Sequence, residues 1–302
     1  MKVFKIILSV FLILLLLAII GGVVVLGFYW PQYWLCNEKL VADDQTDRGS
    51  ITVVSANVRC FSPEDLFKQS WFFRAPLLLQ TLKDASPDII GFQEVTPLHK
   101  RFFDRTLRNY DYVLQYRDNS LLKESCPVYY NALRFELVDK GSFWLSETPD
   151  EMSKGWGAAF NRVCSYVILK QKSDGKQLVV FNTHLDHVSE EARINGIRLV
   201  LQKIEQFGGI PSVIMGDLNA EEYTETYKVA TELFFDAKYQ TDDTDSGATY
   251  QNYGQALDDE NIDYFLISKT GIDALQYKVL RATYDGVYPS DHFPIELVLQ
   301  LQ

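Results

Sequence analysis

From Ile6 to Trp30 the chain runs for 25 residues without a charged side chain. A helix of that composition has no polar face to turn towards water, so it does not read as a core helix of a soluble domain. It is long enough to span a bilayer, which takes about 20 apolar residues. The rival reading is a cleaved signal peptide, whose apolar region is shorter and ends in a small-x-small site. No convincing site of that kind is present, and Tyr33-Trp34-Leu35 before Cys36 is a poor lipoprotein signal. Tyr29, Trp30, Tyr33 and Trp34 fit an aromatic belt at a membrane surface. Lys2 and Lys5 precede the span, while Glu38, Asp43, Asp44 and Asp47 come after it. The positive-inside bias then puts the N-terminus in the cytoplasm and the remainder outside. The chain divides into a transmembrane anchor (1–30), a polar tether (31–50) and a folded domain (51–302), with lipid contacted through residues 6–30.

Charge narrows what the outer part binds. The formal net charge is −11, and Lys2 and Lys5 supply +2, so everything after the apolar segment carries −13. Such an excess argues against sequence-blind binding of nucleic acid, which needs a positive field. It leaves open a small phosphorylated substrate held by a local metal ion. Cys36, Cys60, Cys126 and Cys164 show no CxxC spacing, so a zinc site is not indicated, and the reading is of free, mostly buried thiols.

Short apolar runs alternate with amphipathic ones along the folded region. Ile51–Asn57, Asp88–Gln93 and Tyr110–Tyr116 read as strands, with helices predicted over Ser70–Asp84 and Thr96–Asn109. Val128–Asn131 and Arg134–Lys140 look like a strand pair. Val163–Lys170 and Gln177–Thr183 form another, joined by the hairpin turn Ser173-Asp174-Gly175. Ser189–Phe207 has helical spacing and stops at Gly208-Gly209. Ile210–Met215 is a strand ended by Gly216, Gln240–Asn261 a long loop, and Ile262–Ser268, Tyr277–Ala282 and Pro294–Leu299 are further strands. Two sets of strands interrupted by helices suggest two packed sheets with helices outside.

Several strands finish in a residue capable of chemistry: Asn57, Glu94, Asn182 with His184, and Asp217 with Asn219. Asp263 opens a strand, and Asp291-His292 stands just before the last one. Each has a bland alternative. Asp217 and Asn219 suit a turn or a helix cap, Glu94 a helix-entry charge, Asn57 a turn, and His184 a satisfied surface histidine. Together the carboxylates and amides suit a hard, oxygen-binding cation such as Mg²⁺, and a carboxylate beside a histidine suits proton transfer with water.

As an ordered set, Asn57-Val58-Arg59, Gln93-Glu94, Asn182-Thr183-His184-Leu185, Gly216-Asp217-Leu218-Asn219, Ile262-Asp263-Tyr264 and Ser290-Asp291-His292 resemble the motifs of the endonuclease/exonuclease/phosphatase (DNase I-like) superfamily. The resemblance covers about residues 51–300. Ser70-Trp71-x-x-Arg74 and Thr183–Ser189 further resemble its small bacterial-type hydrolases. It implies an α/β fold, a four-layer α/β sandwich of two packed mixed β-sheets flanked by helices, here preceded by one transmembrane helix. It also implies metal-dependent phosphoester hydrolysis with Mg²⁺, or Mn²⁺ in its place. By motif position, Glu94 would be the principal metal ligand, with Asn57 nearby and Asp291 an additional carboxylate. His292 would be the general base or a phosphate contact, oriented by Asp263, and Asp217 would position or deprotonate the attacking water. Asn182, His184 and Asn219 would hold phosphoryl oxygens. Arg59 stands where some nucleases of the family carry an acid. It, Arg162 and Arg281 are candidate phosphate contacts, with surface salt bridges as the alternative.

The expectation is a monomeric, membrane-anchored phosphoesterase without a specific protein partner. The competing class is a non-catalytic binding protein that keeps the fold. Within the enzyme reading, nuclease, phospholipid or sphingomyelin phosphodiesterase, and sugar or inositol phosphatase all stay open. The substrate-facing loops are expected at Cys60–Gln69, Leu121–Pro127, Glu147–Phe160 and Gln240–Asn261.

Overall fold

The computed structural model describes residues 2–44, 49–256 and 260–302, and their side chains apart from those of residues 25–32. Asp47 and the side chains of Tyr29 and Trp30 therefore lie outside the described residues. In chain order, helix α1 (Lys2–Trp34) is followed by β1 (Leu40–Val41), β2 (Ser50–Asn57), α2 (Trp71–Ala85), β3 (Ile89–Gln93) and α3 (Pro97–Thr106). Next come β4 (Leu107–Arg108), β5 (Tyr110–Val113), β6 (Val128–Asn131), β7 (Phe135–Trp144), β8 (Val163–Gln171) and β9 (Gln177–His184). The chain continues with α4 (Glu190–Glu205), β10 (Ser212–Asp217), α5 (Glu225–Leu233), β11 (Phe234–Asp236) and β12 (Thr244–Asp245), and ends in β13 (Asp263–Ser268), β14 (Ile272–Val279) and β15 (Ile295–Leu301).

Two mixed sheets carry the domain. One is six-stranded, in the order β11-β13-β10-β9-β8-β7; the other is seven-stranded, in the order β12-β14-β15-β2-β3-β6-β5. Alternation within single strands shows how they stack. Ile51 and Val53 of β2 pack with Val180 of β9 and Val213 and Met215 of β10 in one core between the sheets. The intervening Val54 and Ala56 face Leu78, Leu82 and Phe102 of α2 and α3. Val179, Phe181 and Ile214 face Ile197 and Val200 of α4. Successive side chains of a strand point to opposite faces, so strands buried on both faces read as continuous apolar runs. Three apolar interfaces thus separate four layers, helix–sheet–sheet–helix, which is the sandwich expected.

Several local expectations are corrected. β6 and β7 do not pair: β6 joins β3 and β5, whereas β7 crosses to the other sheet and pairs with β8. The crossing is fixed by Arg134, a buried guanidinium that donates to Asp88 Oδ2 at 2.7 Å and to Ser50 O at 3.1 Å. Helix α3 ends at Thr106, short of the predicted Asn109, because Leu107 and Arg108 pair instead with Leu40 and Val41. Helix α5, β11 and the first half of β14 do not stand out in the sequence pattern.

Among the described residues, one helix is long and apolar enough to cross a membrane, over Lys2–Val24, and none of that window is buried inside the protein. The end of α1 and the residues that follow it lie against the domain. The Tyr33 ring is fully buried on α3, its hydroxyl donating to Leu98 O at 2.8 Å. The Arg105 guanidinium lies 5.1 Å from the Tyr33 ring and 5.0 Å from that of Trp34. Protein thus encloses the Tyr33 ring, while Trp34 stays half-buried. Leu40 and Ala42 are also buried, and Asn131 Nδ2 donates to Asp43 O at 2.7 Å. Polar side chains suggested a solvated linker here; backbone pairing, which composition does not register, lays residues 33–44 along the domain.

Candidate active site

The core between the sheets turns polar at one edge, and strand periodicity decides which residues arrive there. Asn57 shares its face with Ile51 and Val53, His184 with Leu178 and Val180, Asp217 with Val213 and Met215, and Asp263 with Phe265 and Ile267. These positions differ by even numbers, so every one of these polar side chains continues an apolar row on the inner face. Gln93, on the row of Ile89, donates through Nε2 to Asn182 Oδ1 at 2.7 Å and ties the two sheets beneath the site.

Asp217 is at the centre. Its Oδ2 accepts from Asn57 Nδ2 at 3.0 Å, and Oδ1 accepts from Asn219 N at 2.9 Å. The same Oδ2 lies 3.4 Å from His184 Nε2 and 3.9 Å from His292 Nε2. Asn57 Nδ2 also donates to Glu94 Oε1 at 2.9 Å, and Cys60 N donates to Glu94 Oε2. His292 Nδ1 donates to Asp263 Oδ2 at 2.8 Å. Asp291 Oδ2 faces the Arg59 guanidinium at 3.7 Å. Arg59, Glu94 and Asn219 have φ of 55°, 63° and 47°. Non-glycine residues seldom adopt that region, and such strain collects where a side chain must be aimed.

Burial and charge set the protonation states. Burial opposes charge on His292, but the carboxylates of Asp263, Asp217 and Asp291 outweigh it and push the imidazole up to about 10. A pKa raised this far favours the protonated, hydrogen-bond-donating form of His292 at neutral pH. This raised value contributes stability that is fully present below the unfolded pKa, about 6.5, and lost as pH rises through about 10. Asp217 moves the other way for a carboxylate: burial first, then Asp263, raise it to about 7. Burial and Arg162 hold His184 neutral. Burial works against the charge of Glu94, yet the hydrogen bonds from Cys60 N and Asn57 Nδ2 and the nearby His292 imidazole keep it below the usual carboxylate range.

These states make a testable pair. Asp263→Asn should lower the His292 pKa, so the alkaline fall in activity should move to lower pH, with kcat reduced roughly 10²-fold. An alkaline limb at the same pH in the variant and the wild type would rule out His292 as the group that sets it.

The remaining expected residues separate into two groups. Asn219, Arg59 and Arg162 line the same cleft, of about 490 Å³, as Glu94, His184, Asp217, Asp291 and His292. Asn182 lies below it: its amide donates to Phe92 O and Pro127 O, both at 2.8 Å, and it has no exposed surface with which to touch a phosphoryl group. Arg281 is also outside, paired with Asp245 at 2.7 Å on the surface. Asn57 Nδ2 bridges the Glu94 and Asp217 carboxylates, and its Oδ1 accepts from Arg59 N at 2.9 Å. Asn219 does not continue the strand, as its positive φ shows, and reaches the cleft by turning out of it. The four predicted loops each contribute to the lining, through Cys60, Glu124, Phe160 and the pair Tyr250 and Glu260.

Sequence reasoning passes over the residues that hold the loops. Arg74, fully buried, donates to Gln69 O, Val58 O and Pro289 O at 2.6, 2.8 and 2.9 Å. It joins the loop after Asn57 to the loop before Asp291. Its Ser-Trp-x-x-Arg setting is visible in the sequence; its role needs the fold. His99 caps α3 beside Thr96 and points Nε2 at Arg59 O, 3.2 Å away.

Glu94, Asp217 and Asp291 line the cleft with Glu124 and Glu260, and Asp263 is buried behind His292, so six carboxyl groups meet the guanidiniums of Arg59, Arg117 and Arg162 and the His292 ring. Such an excess of oxygen donors suits a hard divalent cation. Among the described residues, Asp217, Asp263 and His292 bring ligand atoms within 4.8 Å of one another, with His292 Nδ1 bonded to Asp263 Oδ2.

Residues 54–292 match the Endonuclease/Exonuclease/phosphatase family. The chain belongs to that family. An endonuclease/exonuclease/phosphatase family protein from Bacteroides thetaiotaomicron superposes with a TM-score of 0.79 at 31% identity, over 84% of this chain and 98% of that one. The mannosyl-6-phosphatase of the same organism gives 0.77 at 32% identity, over 82% of this chain and 99% of that one. The 3′-5′-exoribonuclease subunit of the CCR4-Not complex from Neosartorya fischeri is 24% identical over 50% of this chain and 24% of its own length.

Proposed function

We propose that the chain is a divalent-cation-dependent phosphoesterase that cleaves a phosphomonoester of a small molecule. The observation that carries this is the convergence, in one cleft, of Asp217, the His292–Asp263 pair and Glu94. Glu94 would hold the cation, with Asp291 adjacent. When bound, a divalent cation polarises the phosphoryl group and offsets its charge. Asp217, raised towards neutrality by burial and Asp263, takes the proton of the attacking water. The His292 cation donates to a phosphoryl oxygen, and Asp263 holds its ring in place. His184 and Asn219 flank Asp217 and bound the space where those oxygens sit.

One relative, matched over 99% of its length at 32% identity, is named a mannosyl-6-phosphatase, and the net charge of −13 outside the span opposes a nucleic-acid track. The 24% identity with an exoribonuclease keeps a nucleotide ester as the second reading. Hydrolysis of simple phosphoesters should require Mg²⁺ or Mn²⁺ and cease with EDTA, returning on re-addition of metal. Activity unaffected by EDTA would sink the metal reading.

The apolar helix would anchor the domain outside the cytoplasm, since Lys2 and Lys5 lie before the span and acidic residues after it. Protease added to intact cells should then digest the domain. Survival of the domain until the membrane is opened would reverse the topology.

A further inference from the structure

One wall of the cleft is built from residues that the hydrolytic chemistry does not use. Phe160, 48% exposed, stacks on His187 with ring centroids 5.8 Å apart and planes 20° apart. Arg117 Cζ lies 4.7 Å from the centroid of the same ring. Arg117 Nη1 donates to Glu124 Oε2 at 2.7 Å, and Arg162 Nη2 meets His187 Nδ1 at 3.0 Å. The column is fixed from behind. Asp186 accepts from Ala159 N, Val188 N and Ser189 N at 2.9–3.0 Å, locking the Phe160 loop to the segment after His184. Asp186 also lies 3.5 Å from Arg162 Nε. This wall adjoins the chemistry directly, because Arg117, Glu124 and Arg162 share a smaller recess with Glu94 and His184.

The guanidiniums of the wall already have partners. Arg117 is paired with Glu124 and Asp118, and Arg162 with Asp186. A subsite for a second phosphate, or for a nucleic-acid backbone, would need guanidinium charge left over. What the wall offers is half-exposed aromatic surface beside a carboxylate, a guanidinium and an imidazole in fixed positions. A neutral ring with C–H faces and several hydroxyls matches both halves of that surface. The cleft falls in the size range of small-molecule sites, about 300–1,000 Å³.

We propose that the Arg117–Phe160–His187 wall, with Glu124, is the subsite for the alcohol part of the substrate, and that it takes a pyranose bearing the phosphate. This rests on the phosphoesterase reading for what happens to the ester, but binding to the wall does not. The test uses the full-length Asp217→Ala protein in detergent with Mg²⁺, so that phosphate esters bind without turning over. Titration calorimetry compares mannose 6-phosphate, glycerol 3-phosphate and adenosine 5′-monophosphate. The hexose phosphate should bind about tenfold tighter than glycerol 3-phosphate, and Phe160→Ala should remove most of that difference while changing glycerol 3-phosphate less than about twofold. Glu124→Gln, which keeps volume and loses the carboxylate, should have the same selective effect and serves if Phe160→Ala does not fold. Equal binding of the two esters, an equal loss for both in the variants, or tighter binding of the nucleotide would each overturn the subsite. Turnover by the otherwise wild-type chain separates the two readings: ring-selective binding without hydrolysis sinks the phosphoesterase and keeps the subsite, whereas hydrolysis with no ring preference does the reverse.

Discussion

Replacing Asp217 with alanine is expected to lower kcat/KM by about 10³-fold or more while leaving the fold in place. The residue ends β10 on the face between the sheets, with Asn57 Nδ2 and Asn219 N bonded to its two oxygens. Both the water-activating proton acceptor and the group between His184 and His292 disappear with it. The strand beneath does not depend on the carboxylate, because Val213 and Met215 are buried in the apolar core. Stability should even rise slightly at pH 8. The Asp217 pKa is raised, so its ionised form destabilises the folded state progressively as pH climbs above the unfolded value, about 3.9, through the folded value, about 7. Alanine removes that cost, though it leaves the Asn57 amide with one partner fewer. Steady-state kinetics and thermal unfolding on the same preparation check both halves. A loss of less than about tenfold would show that another group activates the water.

Gly216→Ala should be the most damaging small substitution in the domain. Gly216 has φ +136°, and a Cβ there would lie 1.9 Å from Thr183 O. Thr183 is its partner in the parallel β9–β10 register, so the obstacle is backbone, not a side chain that can rotate. The φ region alone costs about 1–3 kcal/mol for a non-glycine residue. Parting the two strands adds to it, and a total above about 3 kcal/mol is expected, or a fall in Tm of roughly 6–12 °C at this chain size. Gly208→Ala is the matched control: φ is also positive, +66°, but a Cβ there meets nothing within 4 Å. It should cost about 1 kcal/mol. Whatever Gly216→Ala protein folds should also lose kcat, because Asp217 and His184 are neighbours across the same pairing. Unfolding curves for the two variants that coincide would show that β10 can slide without penalty.

Much of the candidate site was legible because it sits on strand ends. A strand alternates strictly, so Val213, Met215 and Asp217 had to share a face, as did Phe265 and Asp263. The apolar runs gave the strands, and their polar last residues gave the edge. Legibility failed where the chain leaves regular structure. Asn219 departs at positive φ, Leu107 exchanges helix for strand to meet Leu40, and Tyr33 finds Arg105 rather than a membrane surface. Asn182 failed for another reason. Its motif position is right and its face is right, yet it lies one layer below His184, where Gln93, Phe92 O and Pro127 O already consume its amide.

The sequence by itself determined the apolar N-terminal helix, the two sets of strands, and which carboxylates, amides and imidazoles stand at strand ends, because each is set by local periodicity. Only the tertiary structure decided what those groups do. The His292 pKa is raised because Asp263 and Asp217 reach it from two strands, and that of Asp217 is raised because burial removes its water while Asp263 adds like charge. Arg59 turned out to be held by Asp65 and Asp291 while lining the cleft, and Arg281 by Asp245 outside it. Protonation and reach depend on desolvation and on charges brought together across separations such as the 160 residues between Asn57 and Asp217. Those sums exist only once the sheets are stacked.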